Sequence, residues 1–152
     1  MINGAIVEKV VVDANIALKW VLTEADSQIA TALLAEWKKK EITLLVPTLL
    51  TYEVTNILYR EVRAGRITFD IARDGINLIL RVVSFDFSRN SALNLRAMAF
   101  AKHFSLPATY DSHYLALAER EDCPLWTADM RLWRAVKDQL DWVHWMGDYS
   151  AP

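Results

Sequence analysis

The stretch Lys9-Val10-Val11-Val12-Asp13 decides how the rest of the chain is read. Consecutive valines with no polar alternation describe a strand buried on both faces, and such strands belong to parallel sheets covered by helices. The strand closes on an acid. Two further acids also follow short apolar runs, in Ala108-Thr109-Tyr110-Asp111 and Leu125-Trp126-Thr127-Ala128-Asp129. Each stands where a buried strand would stop. Strand ends at one edge of a parallel sheet lie close in space, so acids far apart in the chain can share one pocket.

Outward from that strand, helical and extended patterns alternate. Asp26 to Lys40 is expected as a helix, with Ile29, Leu33 and Trp37 four apart and three lysines at the C-terminal end, where the helix dipole favours cations. Ile42 to Val46 is a second strand, stopped by Pro47. Thr48 caps a helix that runs to Ala64, before Gly65, with Leu50, Val54, Ile57 and Leu58 as its apolar stripe. Further helices are expected over Thr68 to Leu80, Ser88 to Phe104, Asp111 to Arg120 and Met130 to Leu140. Strands are expected at Val82 to Asp86, Leu125 to Thr127 and, at one edge, Trp142 to Trp145. The order β-α-β-α-α-β-α-α-β-α-β predicts an α/β fold, a parallel sheet with helices on both faces.

A chain of 152 residues is expected to form one domain, residues 1–152. Its hydrophobic fraction, 53%, is ample for a two-sided core and leaves a surplus, including Trp side chains, to cover a partner surface. The net charge of −2 excludes a bulk positive field, so any nucleic-acid contact must use a local basic patch. The single cysteine, Cys123, has no internal partner and fits a reducing cytoplasm. Met1 to Ala5 has neither the basic flank nor the apolar core of a signal peptide. The apolar run from Ile42 to Leu50 is broken by Pro47 and too short to span a bilayer, so no membrane role is expected.

A fourth acid, Glu53, lies inside an apolar helical stretch, on a face with Leu49, Asn56 and Arg60 and beside the stripe rather than opposite it. Four clustered carboxylates repel one another and are costly to hold without a cation. Oxygen donors of this kind suit a hard divalent metal, which points to metal-dependent phosphoryl transfer. Each acid has a plainer role as well. Asp13 and Asp111 can serve as helix caps, and Glu53 can pair with Arg60 or Arg63. Asn15 can hold the first carboxylate or be an ordinary turn amide. Thr127 can donate its hydroxyl to a neighbouring carboxylate. His113, among Tyr114, Leu115 and Leu117, reads as a packing residue rather than a general base. Asp86, after Val-Val-Ser-Phe, has the same local form as the candidate acids, and nothing in the residues alone sets it apart.

The ordered set of segments resembles the PIN-domain family and, within it, the VapC-type toxins of toxin–antitoxin pairs. The segments are Val11-Val12-Asp13-Ala14-Asn15-Ile16-Ala17-Leu18-Lys19-Trp20, Pro47-Thr48-Leu49-Leu50-Thr51-Tyr52-Glu53-Val54-Thr55-Asn56-Ile57-Leu58, Tyr110-Asp111-Ser112-His113-Tyr114-Leu115-Ala116-Leu117-Ala118-Glu119 and Leu125-Trp126-Thr127-Ala128-Asp129-Met130-Arg131-Leu132. The resemblance implies a central parallel sheet of four to five strands and a Mg2+- or Mn2+-dependent endoribonuclease using one or two ions. It implies that Asp13, Glu53, Asp111 and Asp129 are the catalytic acids and metal ligands, supported by Asn15 and Thr127. Arg60, Arg63 and Lys19 are candidates to guide the RNA backbone, with solvated helix charges as their plainer reading. A VapB-type antitoxin laid along a hydrophobic groove is implied, and so is a homodimer formed through the helices around Thr48 to Leu80. The chain departs from the family pattern only in extra residues before the first strand and in the bulk of Trp126.

Three other readings compete. A phospho-receiver needs paired acids at the first strand end and a lysine after the last strand, where Trp142-Val143-His144-Trp145 has none. A haloacid-dehalogenase phosphatase needs a second acid where Asn15 stands. A catalytically inactive PIN scaffold would be expected to have lost an acid, and all four are present.

Overall fold

The computed structural model describes residues 7–152. The Met1 to Ala5 stretch, read above as lacking a signal peptide, lies outside the described residues. The elements run β1 (Lys9–Val12), α1 (Ala14–Lys19), α2 (Ser27–Lys39), β2 (Thr43–Pro47), α3 (Leu49–Arg63), α4 (Phe69–Val82), β3 (Ser84–Asp86), α5 (Ser91–His103), α6 (Tyr110–Arg120), β4 (Leu125–Thr127), α7 (Met130–Val136) and β5 (Val143–Trp145), closed by a 3-10 turn over Met146–Asp148. The five strands form one parallel sheet in the order β3-β2-β1-β4-β5. No helix among the described residues is long and apolar enough to cross a membrane.

This order positions the site. From β1 the chain winds outward to β2 and β3, then returns across the sheet to add β4 on the other side of β1 and β5 beyond it. Crossovers between parallel strands are right-handed, so the reversal sends the two sets of connecting helices to opposite faces. The crevice at the C-terminal ends of β1 and β4 is the point of reversal, where open α/β sheets bind ligands. Val12 lies beside Trp126, so the residues just after β1 stand beside Thr127. Val11, Val12 and Leu125 are fully buried, as the valine run predicts.

The expected α/β fold is the one found, with local differences that have local causes. Asp13 turns the chain at once into α1, a short helix the sequence reading lacked. The Ile16 N–H donates to Asp13 Oδ1 at 2.9 Å and so starts this helix. Asn90 accepts from the Ala92 N–H at 2.8 Å and starts α5 at Ser91 rather than Ser88. α4 runs on to Val82, so β3 begins at Ser84. Thr48 precedes α3 but makes no side-chain cap, because its backbone is already helical. α7 ends at Val136, short of Leu140. Gly65, at φ +69°, closes α3 in the left-handed region open to glycine.

Gly75, inside α4, is held by close packing rather than by its backbone angle. A β-carbon there would lie 2.4 Å from Cγ1 of Val21. The branched valine has little rotamer freedom with which to withdraw. Gly75→Ala should therefore lower stability by about 1–2 kcal/mol, as overpacking outweighs the gain in helix propensity. Adding Val21→Ala should restore part of the loss. Urea unfolding of both variants checks this, and a Gly75→Ala protein more stable than wild type would contradict the packing.

Candidate active site

Asp13 is the innermost acid, 3% exposed. Its Oδ1 accepts from Ile16 N–H, and its Oδ2 accepts from the Thr127 hydroxyl at the end of β4. Burial pushes the carboxyl up to about 7, against the opposing hydrogen bonds from Thr127 and Ile16, and nearby Asp111 adds to the rise. The Thr127 hydroxyl also accepts from Asp129 N–H at 2.9 Å. One hydroxyl therefore ties the end of β1 to the start of α7.

Asp129 caps α7, its Oδ1 accepting from the N–H groups of Arg131 at 2.8 Å and Leu132 at 3.3 Å. Asp111 lies in the first turn of α6. Burial raises its pKa first and Asp129 second, while Arg131 opposes. The run Ala108-Thr109-Tyr110, expected as a strand end, is a loop entering a helix, so Asp111 reaches the site from a helix N-terminus. Thr109, not Asp111, is the flanking residue there. Glu53, half-buried on α3, accepts from the Tyr114 hydroxyl at 2.7 Å. Burial raises its carboxyl, the Tyr114 bond opposes, and Asp111 adds to the rise.

Thus Asp111 acts electrostatically on both Asp13 and Glu53, and Asp129 acts on Asp111. Acids from β1, α3, α6 and the β4–α7 junction share one neighbourhood. The donors are carboxylate oxygens, the hard set that suits Mg2+ or Mn2+. They do not close on a point: no group of three or more His, Cys, Asp or Glu among the described residues is arranged to hold a metal ion. Each acid but Asp111 is turned toward a hydrogen-bond donor of the protein. The chemistry of the donor set fits a divalent cation, while its spacing would have to tighten around one.

The other candidates divide. Thr127 makes its expected bond. Asn15 is exposed on α1 and makes no hydrogen bond to Asp13; it borders a 370 Å³ cavity with Lys19, Asp129 and Arg131. Lys19 is engaged by Glu24 and, at 2.7 Å, by Asp26, so its charge is already neutralised. Arg60 and Arg63 lie about 10 and 15 Å along the helix axis from Glu53, at 1.5 Å per residue, and neither perturbs it. The Arg63 guanidinium sits 5.9 Å from the centre of the Tyr59 ring. Asp86 is set apart by topology, on the edge strand β3. Burial pushes its carboxyl up, but the Arg120 guanidinium at 2.9 Å and the Ser88 hydroxyl hold it below the usual range.

Two residues escaped the sequence reading. Arg131 is 94% exposed in its side chain, lies 3.8 Å from Asp129 and acts electrostatically on Asp111. Its position two residues after Asp129 was the available signal. Tyr114, 1% exposed, looked like core from its apolar neighbours, yet its hydroxyl sits among the acids.

Comparison with known proteins bears on the fold and the family. No curated protein matches the chain in sequence. Among solved structures, PAE2754 from Pyrobaculum aerophilum superimposes with a TM-score of 0.67 at 20% identity, covering 93% of each chain. VapBC-1 from nontypeable Haemophilus influenzae gives 0.61 at 14% identity, covering 90% of this chain and 96% of that one. VapBC2 from Rickettsia felis, bound to a DNA fragment from their promoter, gives 0.62 at 12% identity, covering 90% and 98%. These likenesses concern the fold. The strand order differs from the 2-1-3-4-5 of receiver domains, which removes that competing reading. The PIN domain family model matches residues 10–138, most of the sheet and all seven α-helices with the four acids among them, and the chain belongs to the PIN-domain family.

Proposed function

We propose that this chain, acting as a single domain, is a cytoplasmic Mg2+- or Mn2+-dependent endoribonuclease, the toxin of a VapBC-type pair. One observation carries the reading: a carboxylate buried at the reversal point of the sheet has Asp111 beside it, and Asp111 in turn acts on Glu53 and is acted on by Asp129. A fold that gains nothing from charge there would place apolar groups instead. The fold shared with the VapBC-1 and VapBC2 structures supports a VapB-type antitoxin as partner, and family membership supports the nuclease class and a homodimer.

In this reading Asp13, Glu53, Asp111 and Asp129 hold one or two cations. When bound, the cation supplies positive charge at the scissile phosphodiester and lowers the pKa of the attacking water. Thr127 fixes the Asp13 carboxylate through its hydroxyl bond. Arg131, free to move at the rim, meets a phosphate oxygen of the RNA. Arg60 and Arg63, farther along α3, meet the backbone away from the scissile bond. Lys19 serves by holding Glu24 and Asp26 rather than by touching RNA. Asn15 borders the same cavity as a polar lining for the substrate.

Two measurements test the site. The folded protein keeps a proton on Asp13 between its ordinary pKa near 3.8 and about 7, where the unfolded chain has lost it. Stability of the metal-free protein should therefore fall as pH rises through that window, by an amount on the order of a few kcal/mol, and then level off. Asp13→Asn should flatten the fall. Mn2+ at pH 8 should raise the melting temperature of the wild type, since an ion bound only to the folded state stabilises it by mass action. Parallel pH profiles for the two proteins in EDTA would refute the account of Asp13.

The second measurement separates the acids from Asp86. With purified, antitoxin-free protein and total RNA in Mn2+, Glu53→Gln should lose at least about a hundredfold in cleavage rate, a loss typical of disturbed metal and acid–base sites. Asp86→Asn should cut at close to the wild-type rate, because its carboxylate serves an ion pair at the sheet edge. A folded wild-type protein that neither responds to Mn2+ nor cuts RNA would return the inactive-scaffold reading.

A further inference from the structure

We propose that the Tyr114 hydroxyl is a positioning group, which sets where the Glu53 carboxylate stands relative to Asp111. The inference rests on the metal-site reading above. Three acids of the site have their places fixed at element ends. Asp13 is held by Ile16 N–H and Thr127, and Asp129 by two N–H groups of its own helix. Asp111 rides on the first turn of α6. Glu53 differs. It stands in the second turn of α3 on a longer side chain with an additional rotatable bond, and its carboxylate accepts a hydrogen bond from Tyr114.

Tyr114 is suited to that task by position. It follows Asp111 by three residues on α6, so both side chains leave the helix on the same side. Its ring is packed to 1% exposure, which leaves the hydroxyl little room to move. The bond joins α3 to α6, so the helix that carries Asp111 also orients the acid supplied by another helix. Asp13 and Asp111 both act electrostatically on this phenol, which places it among the carboxylates. Packing alone would be met by phenylalanine, since a buried hydroxyl costs free energy unless it has a partner. The partner here is a site acid rather than a structural carbonyl.

The test uses the full chain, free of antitoxin, and Mn2+ itself as the probe, titrated by calorimetry. Tyr114→Phe keeps the ring and should stay folded, with Mn2+ binding roughly tenfold weaker, in the range for loss of a group that orients a ligand. In a Glu53→Gln background the same substitution should weaken binding no further, because the hydroxyl acts through that carboxylate. Wild-type affinity in Tyr114→Phe would overturn the proposal, above all if the metal-free variant melts lower, which would make the hydroxyl a packing group. Equal losses in both backgrounds would overturn it too. A wild-type protein that binds no Mn2+ would overturn the metal-site reading and this inference together. The wild-type titration thus distinguishes the two failures.

Discussion

The Asp13 carboxylate lies where β1 and β4 end side by side, and its surroundings must compensate for a charge taken out of water. Desolvation of a carboxylate is among the larger local costs a small domain can carry. The fold meets it with the Thr127 hydroxyl, the Ile16 N–H and a backbone donor from Ala128. These donors do not restore an ordinary pKa, because burial outweighs them and Asp111 adds to the rise. The same three contacts fix the start of α1, the end of β4 and, through Thr127, the turn into α7. A local electrostatic problem is thus also the joint that aligns three elements.

The second constraint is the reversal of the sheet. The strand order brings the ends of β1 and β4 together and leaves β3 at the far edge. Two acids of identical local form, Asp13 and Asp86, thereby meet opposite fates. Asp13 is buried, with Asp111 nearby, and is pushed up. Asp86 finds Arg120 and Ser88 and is held down. Sequence position after an apolar run is equal for both, and the difference arises only from which strand lies alongside.

That contrast explains what could be read from the chain. The valine run, Pro47 and the helical stripes carry a physical period, so the sheet and six helices were legible. α1 was not, because six residues are too few for a period to show and its start depends on a side-chain cap that is also a site acid. The three acids after apolar runs were legible as a set, although Asp111 owes its place to a helix terminus rather than a strand. Lys19 and Tyr114 were not, for opposite reasons. A lysine beside the site looks available until its partners Glu24 and Asp26 fold back on it. A tyrosine in an apolar helix looks like core until the direction of its hydroxyl is known. Both depend on where a side chain ends, which spacing along the chain does not specify.

The charge balance around the site bears on how RNA would be admitted. With a net charge of −2 and Lys19 neutralised, the groups that face an incoming phosphate are carboxylates and one exposed arginine. Without a divalent cation this edge repels a polyanion, and Arg131 alone is a weak counterweight at the surface. A bound cation would reverse the local sign. On the proposed reading, metal binding and RNA binding are therefore linked through the same carboxylates, because each favours the state the other needs. The raised pKa values, set first by burial and then by neighbouring acids, describe the cost that the metal-free fold carries for keeping these carboxylates where that linkage can form.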